Sequence, residues 1–548
     1  MAAWGVNALR HLPTAFWIIP VIAMLALVFP RRVEPVAHAF GDLIARRPVL
    51  AGTALGLATA LLVLALPDRA HFVGDFLLRQ GTVELAVTPG LLFPQALPLD
   101  VLLHYRIPLA FVDAHLLDAA GYGRALGVLE AFALGGLAVM LARAFGLAGV
   151  AACALACAAA WTGALGLLTG YSKAFSEMAL LCVAVAAFGT RVAREGRGVF
   201  GLLAACALGL ALHRSAVAFL PAAAVALALA FADRKTRERL RSKDAIAGYA
   251  ALALALAIFV PMIVRTATSF DMAQHFASED VRRAGGLLAA SFRPGRLLDV
   301  LDLVFLLSPV AVLLLVLLPK AGAREVRVAL VLALAWGALA FALFPAQGAF
   351  RDWDVFAPAG VSLAILAGAL AVQARGAWLA SLPVVCLAGA LLVLGSAHDR
   401  EGTWRRAEAF MAGPPERTPV ERAKTWEYLG SSWFQAGRYA DAARAFGREA
   451  ETSRSQRVYM QWALAANQAQ DDALTRRVLE ELVTFAPGTA IAWQQLGSLA
   501  WQRGDYATAA HAARVLATLA PNNAELQRNA RDIERFYAAW RDSVNARK

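Results

Sequence analysis

Residues 382–433, LPVVCLAGALLVLGSAHDREGTWRRAEAFMAGPPERTPVERAKTWEYLGSSW, divide the chain. Upstream of His398, apolar runs of about 18 to 22 residues recur, the length at which a helix rising 1.5 Å per residue matches a hydrocarbon layer of about 30 Å. Downstream no such run returns. Only a helix satisfies its own backbone in lipid, so the runs are read as membrane helices. The fold class expected is all-α: a polytopic membrane domain over residues 1–396, a linker over 397–416, and a helical-repeat domain with a capping helix over 417–548.

Composition agrees. With 59% hydrophobic and 17% charged residues, and a mean hydropathy of +0.56, the chain has too little charge to solvate itself as a soluble protein. Its five cysteines, Cys153, Cys157, Cys182, Cys206 and Cys386, all fall inside apolar runs and form no CxxC pair. They read as small packing residues rather than as a disulfide framework or a metal site.

About twelve spans are expected, near residues 12–30, 49–67, 125–142, 146–168, 174–190, 199–212, 215–231, 245–264, 299–318, 328–344, 358–373 and 377–396. The first lacks a basic leader and a small-residue cleavage site, and is read as a retained helix. Basic residues collect in alternate loops: Arg31, Arg32, Arg46 and Arg47; Arg143; Arg191, Arg194 and Arg197; the run from Arg234 to Lys243; Lys320, Arg324 and Arg327; and Arg375. Positively charged loops resist translocation, so that face is cytoplasmic, and twelve crossings put the C-terminal domain on the opposite side. Those loops, facing anionic headgroups, account for most of the net charge of +12. A nucleic-acid partner is excluded: the chain has no zinc-finger spacing and no basic stripe interleaved with aromatics.

The C-terminal third repeats at about 34 residues, as tetratricopeptide arrays do. In WEYLGSSWFQAGRYADAARAF, Trp426, Leu429, Gly430, Trp433, Ala442 and Phe446 occupy the bulky and small positions of one repeat. Trp493, Leu496, Gly497, Ala500, Ala509 and Pro521 fill another, and Ala463, Leu479 and Pro487 mark a degenerate copy between them. Small residues let paired helices approach while bulky ones fill the groove, and the polar helix from about Asn523 caps the stack. Such arrays present a groove to a protein or peptide partner; the alternative is a structural clamp.

Polar residues gather on the face opposite the basic loops. Asp68 and Asp75 follow the second span, and residues 101–117, interrupted by His104, Arg106 and Asp113, suggest an amphipathic helix at the lipid interface. A carboxylate at the top of a span suits a general base for an acceptor hydroxyl; a helix cap is the alternative. PAQGAFRDWDVFAPAG packs Arg351, Asp352 and Asp354 between two spans, a costly density that marks either a functional site or a turn fixed by a local ion pair. Other turns on this face carry Tyr171, Lys173 and Glu177, then His213 and Arg214. The loop at 265–298 adds Arg265, Arg282, Arg283, Arg293 and Arg296, an excess that suits a phosphate or pyrophosphate headgroup.

The segments GDFLLR (Gly74 to Arg79), LPLD (Leu97 to Asp100), LHRS (Leu212 to Ser215), LLSP (Leu306 to Pro309) and RDWD (Arg351 to Asp354) resemble those of bacterial polytopic proteins of the GT-C glycosyltransferase superfamily. The layout is also similar to the tetratricopeptide O-mannosyltransferases. The resemblance implies an enzyme of the bacterial inner membrane that transfers a sugar from a polyprenyl-phosphate donor to an extracytoplasmic acceptor. Asp75 would be the base, with Asp68 in reserve. Arg351, Asp352, Asp354, His213, Lys173, Tyr171, His104, Arg293 and Arg296 would bind donor or acceptor. The first loop departs from the family in lacking an adjacent pair of acidic residues, so no metal ligand is assigned and a divalent cation is left open. A non-catalytic envelope assembly or transport protein, recruiting partners through its repeats and surrounded by membrane lipids, is the competing function class.

Overall fold

The computed structural model describes residues 4–74, 76–88, 90, 93, 95–171, 173–318 and 323–546. The described elements are helical throughout and form two compact units, Met1–Pro415 and Glu416–Lys548.

In the first unit, eight described helices are long and apolar enough to cross a membrane, or eleven segments if each of three bent pairs counts as one. About twelve spans are expected from hydropathy; three of the apolar stretches are bent pairs. Thr14–Val28 turns by 91° into Pro30–Arg46, Gly149–Ala160 by 53° into Gly163–Thr169, and Pro294–Leu307 by 113° into Pro309–Leu317. Proline causes two of the breaks: it lacks an N–H and crowds its predecessor, and Phe29 and Ser308 accordingly leave helical geometry. Val199–Leu212, at 14 residues, is short for a span. Pro30–Arg46 buries Ala37, Gly41 and Ile44 on one face and exposes Arg31, Arg32 and Arg46, the pattern of a helix lying in the interface.

One helix runs longer than hydropathy implied. Lys243–Phe276 covers 34 residues, with its last ten, Ala267–Phe276, wound as a π-helix. At 1.5 Å per residue this is about 50 Å, longer than a hydrocarbon layer of about 30 Å.

Close packing rests on small residues. A methyl group on Gly135 would stand 2.3 Å from the Gly56 nitrogen, so Pro48–Ala65 and Ala119–Ala144 meet backbone to backbone. The basic segments converge at one end of the bundle: the Arg194 guanidinium donates to Ala144 O at 2.5 Å and pairs with Glu325 at 3.5 Å, and Arg239 donates to Glu195 O at 2.6 Å.

Within the expected linker, residues 400–412 form a packed helix. In Arg400–Ala412, Trp404, Ala407 and Phe410 are buried, and Phe410 stacks on Phe350 at 4.0 Å. Phe350 also meets Trp4 at 5.3 Å and Phe72 at 4.7 Å. This aromatic plug lies directly behind the RDWD turn.

The second unit is a run of seven helices from Pro419–Gln435 to Ala524–Asn545, each packed on the next in chain order. Short polar caps delimit them: Thr418 and Glu421 form a reciprocal capping box, and Ser455, Asp471 and Asp505 cap later helices. Gly430 is needed where a methyl would stand 2.7 Å from the Phe446 ring. Val458, Leu479, Leu482, Trp493 and Leu496 form one continuous core.

Two outcomes are expected for this unit. Residues 416–548 expressed alone should unfold cooperatively, and Trp493→Ala should cost about 3 to 5 kcal/mol, as for truncation of a buried aromatic. A loss below about 1 kcal/mol would contradict this core. Glu449 supplies a pH signature. Burial, and secondarily Glu427, pushes its carboxyl up to about 7, against Arg457 and Lys424. The folded state therefore binds a proton that the unfolded state has released, and stability should fall as pH rises from the ordinary carboxyl range toward 7. Glu449→Gln should flatten that slope in denaturant titrations; an unchanged slope would refute the assignment.

Candidate functional site

The site begins with the RDWD turn. The Asp352 carboxylate accepts from Gln347 N at 2.9 Å, and Asp352 N donates to Gly348 O at 2.9 Å, closing the turn before Trp353–Phe356 winds into the Ala357–Ala374 helix. This geometry sends Asp354 inward, where it is fully buried. Its carboxylate takes a short hydrogen bond from the Tyr171 hydroxyl and pairs with Lys173 Nζ at 3.3 Å. Two segments about 180 residues apart are thereby tied at one buried point.

The first outer loop is stitched to the same point. Gly74 N donates to Arg351 O at 3.1 Å, and the Arg351 guanidinium faces Gly74 O and Gln347 Oε1, each at 3.4 Å. Glycine is required at position 74: a methyl there would stand 2.7 Å from Asp352 Oδ1 and 3.4 Å from Lys173 Nζ.

In front of this knot lies a cavity of about 330 Å³. One wall is polar and built from three cation–carboxylate partnerships. Arg79 reaches Asp100 at 3.2 and 3.3 Å, and Lys173 backs onto Asp354. Arg214 forks onto Asp271 at 2.5 and 2.7 Å. His213, whose Nδ1 accepts from Ser215 N at 3.2 Å, and His275, whose Nδ1 donates to Phe344 O at 3.0 Å, complete it. The other wall is apolar, from Ile263, Ala267 and Phe270 of the long helix and Leu339 and Leu343. The outward side of that long helix is exposed at Ile258, Val264 and Met272, where lipid would lie. Such a cavity suits an amphiphile with a compact polar head and an apolar tail.

Several expected residues do sit here: Lys173, His213 and Asp352 line the cavity, and Tyr171 and Asp354 support it from behind. Others do not. Asp75, the expected base, lies outside the described residues. Asp68 does not line the cavity; it caps a turn, accepting from Ala70 N at 2.9 Å and His71 N at 2.8 Å, with burial pushing its carboxyl up to about 6. Arg351 braces Gly74 from behind, its guanidinium 5.0 Å over the Phe72 ring, and is absent from the lining. Arg296 closes the end of the Arg324–Ala342 helix by donating to Ala340 O at 2.8 Å and Leu343 O at 2.6 Å, the carbonyls a helix leaves unpaired. Arg293 is exposed and faces Arg283 O. None of the five arginines between 265 and 298 lines the cavity. His104 stands one layer back, behind Asp100.

Asp271 and His275 were missed because apolarity fades after Val264. The absence of any Gly or Pro between Val264 and Gly285 was the available signal that the helix continues. Among the described residues, no group of three His, Cys, Asp or Glu could hold a metal ion.

No protein-family model matches the chain, and no curated protein is significantly similar to it.

Removing one partner of a buried pair leaves an uncompensated charge. Lys173→Met should therefore cost about 3 to 5 kcal/mol in thermal unfolding of the full chain in nanodiscs, and Asp354→Asn in the same background should recover part of it. A change below about 1 kcal/mol for Lys173→Met would show that the tie does not hold this end together.

Proposed function

We propose that the chain is a membrane glycosyltransferase of GT-C type, taking a sugar from a polyprenyl-phosphate donor and transferring it to an acceptor outside the cytoplasm. The observation that carries this reading is the two-walled cavity, in which Arg79, Lys173 and Arg214 face an apolar wall formed by the most lipid-exposed long helix. A donor phosphate would lie against the three cations, whose carboxylate partners hold them ready before the ligand arrives. The tail would leave along Phe270, Leu339 and Leu343 toward lipid.

In the transfer step the acceptor hydroxyl attacks the anomeric carbon, the carbon–oxygen bond to phosphate breaks, and the hydroxyl proton passes to a carboxylate. Asp75 is assigned as that base. In support, Gly74, its covalent neighbour, packs against Lys173 and Asp352 at the cavity edge. Arg214 and Arg79 would stabilise the leaving phosphate as its charge grows. The C-terminal helices are read as a tetratricopeptide array that recruits a protein or peptide on the acceptor side. The chain is placed in the bacterial inner membrane, its basic end toward the cytoplasm.

Membranes containing the full chain, supplied with a radiolabelled polyprenyl-phosphate sugar, test this. Asp75→Asn should lower transfer by about 10² or more, the low end of a general-base contribution, with protein level unchanged. Arg214→Ala should weaken donor use. Full activity in Asp75→Asn with Asp352→Asn inactive would move the base to the later turn. Equal function in every one of these variants would favour the assembly protein over the enzyme.

A further inference from the structure

At the basic end of the membrane domain lies a second cavity, of about 600 Å³, that shares no described lining residue with the first. It opens between the Pro48–Ala65 and Ala119–Ala144 helices, and its rim carries Arg143, Arg191 and Glu195. Phe132, Gly136, Met140 and Arg143 follow one another by four, four and three residues, so they share one face of their helix. Val49 and Gly52 of the neighbouring helix complete the groove. Val49 is 82% exposed and Phe132 40%, so the groove is apolar and open to the surroundings of the bundle.

Two adjacent glycines show that helix packing does not require the hollow. Gly135 lets the two backbones touch, whereas a methyl on Gly136 would meet nothing within 4 Å, so the missing side chain there leaves open space. The charges are equally uneven. Neighbouring arginines are committed: Arg194 to Ala144 O and Glu325, Arg239 to Glu195 O, and Arg324 to Asp233. Arg191 pairs at 3.5 Å with Glu195, the one carboxylate among the described lining residues. Arg143 makes no hydrogen bond or ion pair among the described residues. Two guanidinium groups against one carboxylate leave the rim with a positive charge in excess.

We propose that this groove binds an anionic phospholipid of the leaflet at the basic end, its phosphate held by Arg143 and Arg191 and one acyl chain lying over Gly136. Length favours a lipid over a soluble anion. Arg143 lies eleven residues beyond Phe132, about 16 Å of helix, close to half of a hydrocarbon layer of about 30 Å and so to the depth of one leaflet. A free phosphate would use the rim and leave the apolar floor empty. Charge favours an anionic headgroup over a zwitterionic one, because an ammonium group would bring a further cation to a rim that already has one in excess. Guanidinium forks match phosphate oxygens, and the chain would supply the dispersion contacts that Gly136 leaves unmade. A lipid seated here would bridge the two helices beyond the point where their backbones meet. The site needs no sugar donor and stands apart from the function proposed above.

Native mass spectrometry of the full chain, released from nanodiscs of equal parts phosphatidylglycerol and phosphatidylcholine, tests this. The wild-type chain should retain one phosphatidylglycerol. Arg143→Gln, at an exposed position where folding is not at stake, should weaken that retention by about tenfold or more, as for loss of a charged hydrogen bond. Gly136→Leu, which keeps every charge but fills the floor, should weaken it by about as much. Arg197→Gln, at an exposed arginine outside the cavity, should change nothing. Absence of retained phosphatidylglycerol, or phosphatidylcholine retained equally well, overturns the proposal. Equal weakening by Arg197→Gln reduces the effect to diffuse attraction and overturns the site. Retention unchanged by Gly136→Leu overturns the groove, and displacement of the lipid by excess inorganic phosphate overturns the choice of a lipid.

Discussion

The membrane domain is organised around one enclosed carboxylate. Asp354 has no exposed surface, and an ionised carboxylate in such a place is tolerable only with strong partners. Tyr171 and Lys173 supply them, and in doing so fix the loop before the Phe175–Glu195 helix against the turn before Ala357–Ala374. Everything in front of Asp354 inherits its position from that tie. Gly74 fits only because Lys173 and Asp352 stand where they do, and the cavity's polar wall continues outward from the same lysine.

A second layer of support comes from aromatic packing. Phe350, next to Arg351, is held among Trp4, Phe72 and Phe410, so the N-terminal residues and the helix before Pro415 both brace the turn. Arg406 adds to this by donating to Trp4 O at 2.6 Å and lying 5.3 Å over the Phe350 ring. Side chains that orient a polar site are commonly locked in this way by the packing behind them. The opposing wall is built differently. The Lys243–Phe276 helix has few buried contacts along its apolar length and is fastened near its end by Arg214–Asp271 and His275–Phe344. A rigid polar wall and a lipid-facing apolar one suit entry of a ligand from the bilayer.

Much of this was legible in the residues, for a physical reason. Charge between two apolar runs is expensive, so RDWD, GYSK and LHRS stood out without any structure, and all three meet at one end of the bundle. What the sequence could not convey was direction. Arg296 and Lys173 look alike as cations near spans, yet one caps helix carbonyls and the other lines a cavity. His104 and Arg351 point behind the site rather than into it. Hydropathy also misjudged geometry: Ser308–Pro309 sits inside an apparently continuous apolar run but bends it by 113°, and the weakly apolar Ala267–Phe276 extends a helix. The packed helix over 400–412 was hidden because its charged residues disguised Trp404 and Phe410.

The central claim is that the cavity holds the phosphate head of a polyprenyl lipid against Arg79, Lys173 and Arg214. Native mass spectrometry of the purified full chain with a synthetic polyprenyl monophosphate tests this most directly. The account predicts one bound copy, weakened tenfold or more by Arg79→Ala and Arg214→Ala and unaffected by Arg293→Ala. Absence of binding, or equal weakening by all three variants, would contradict it.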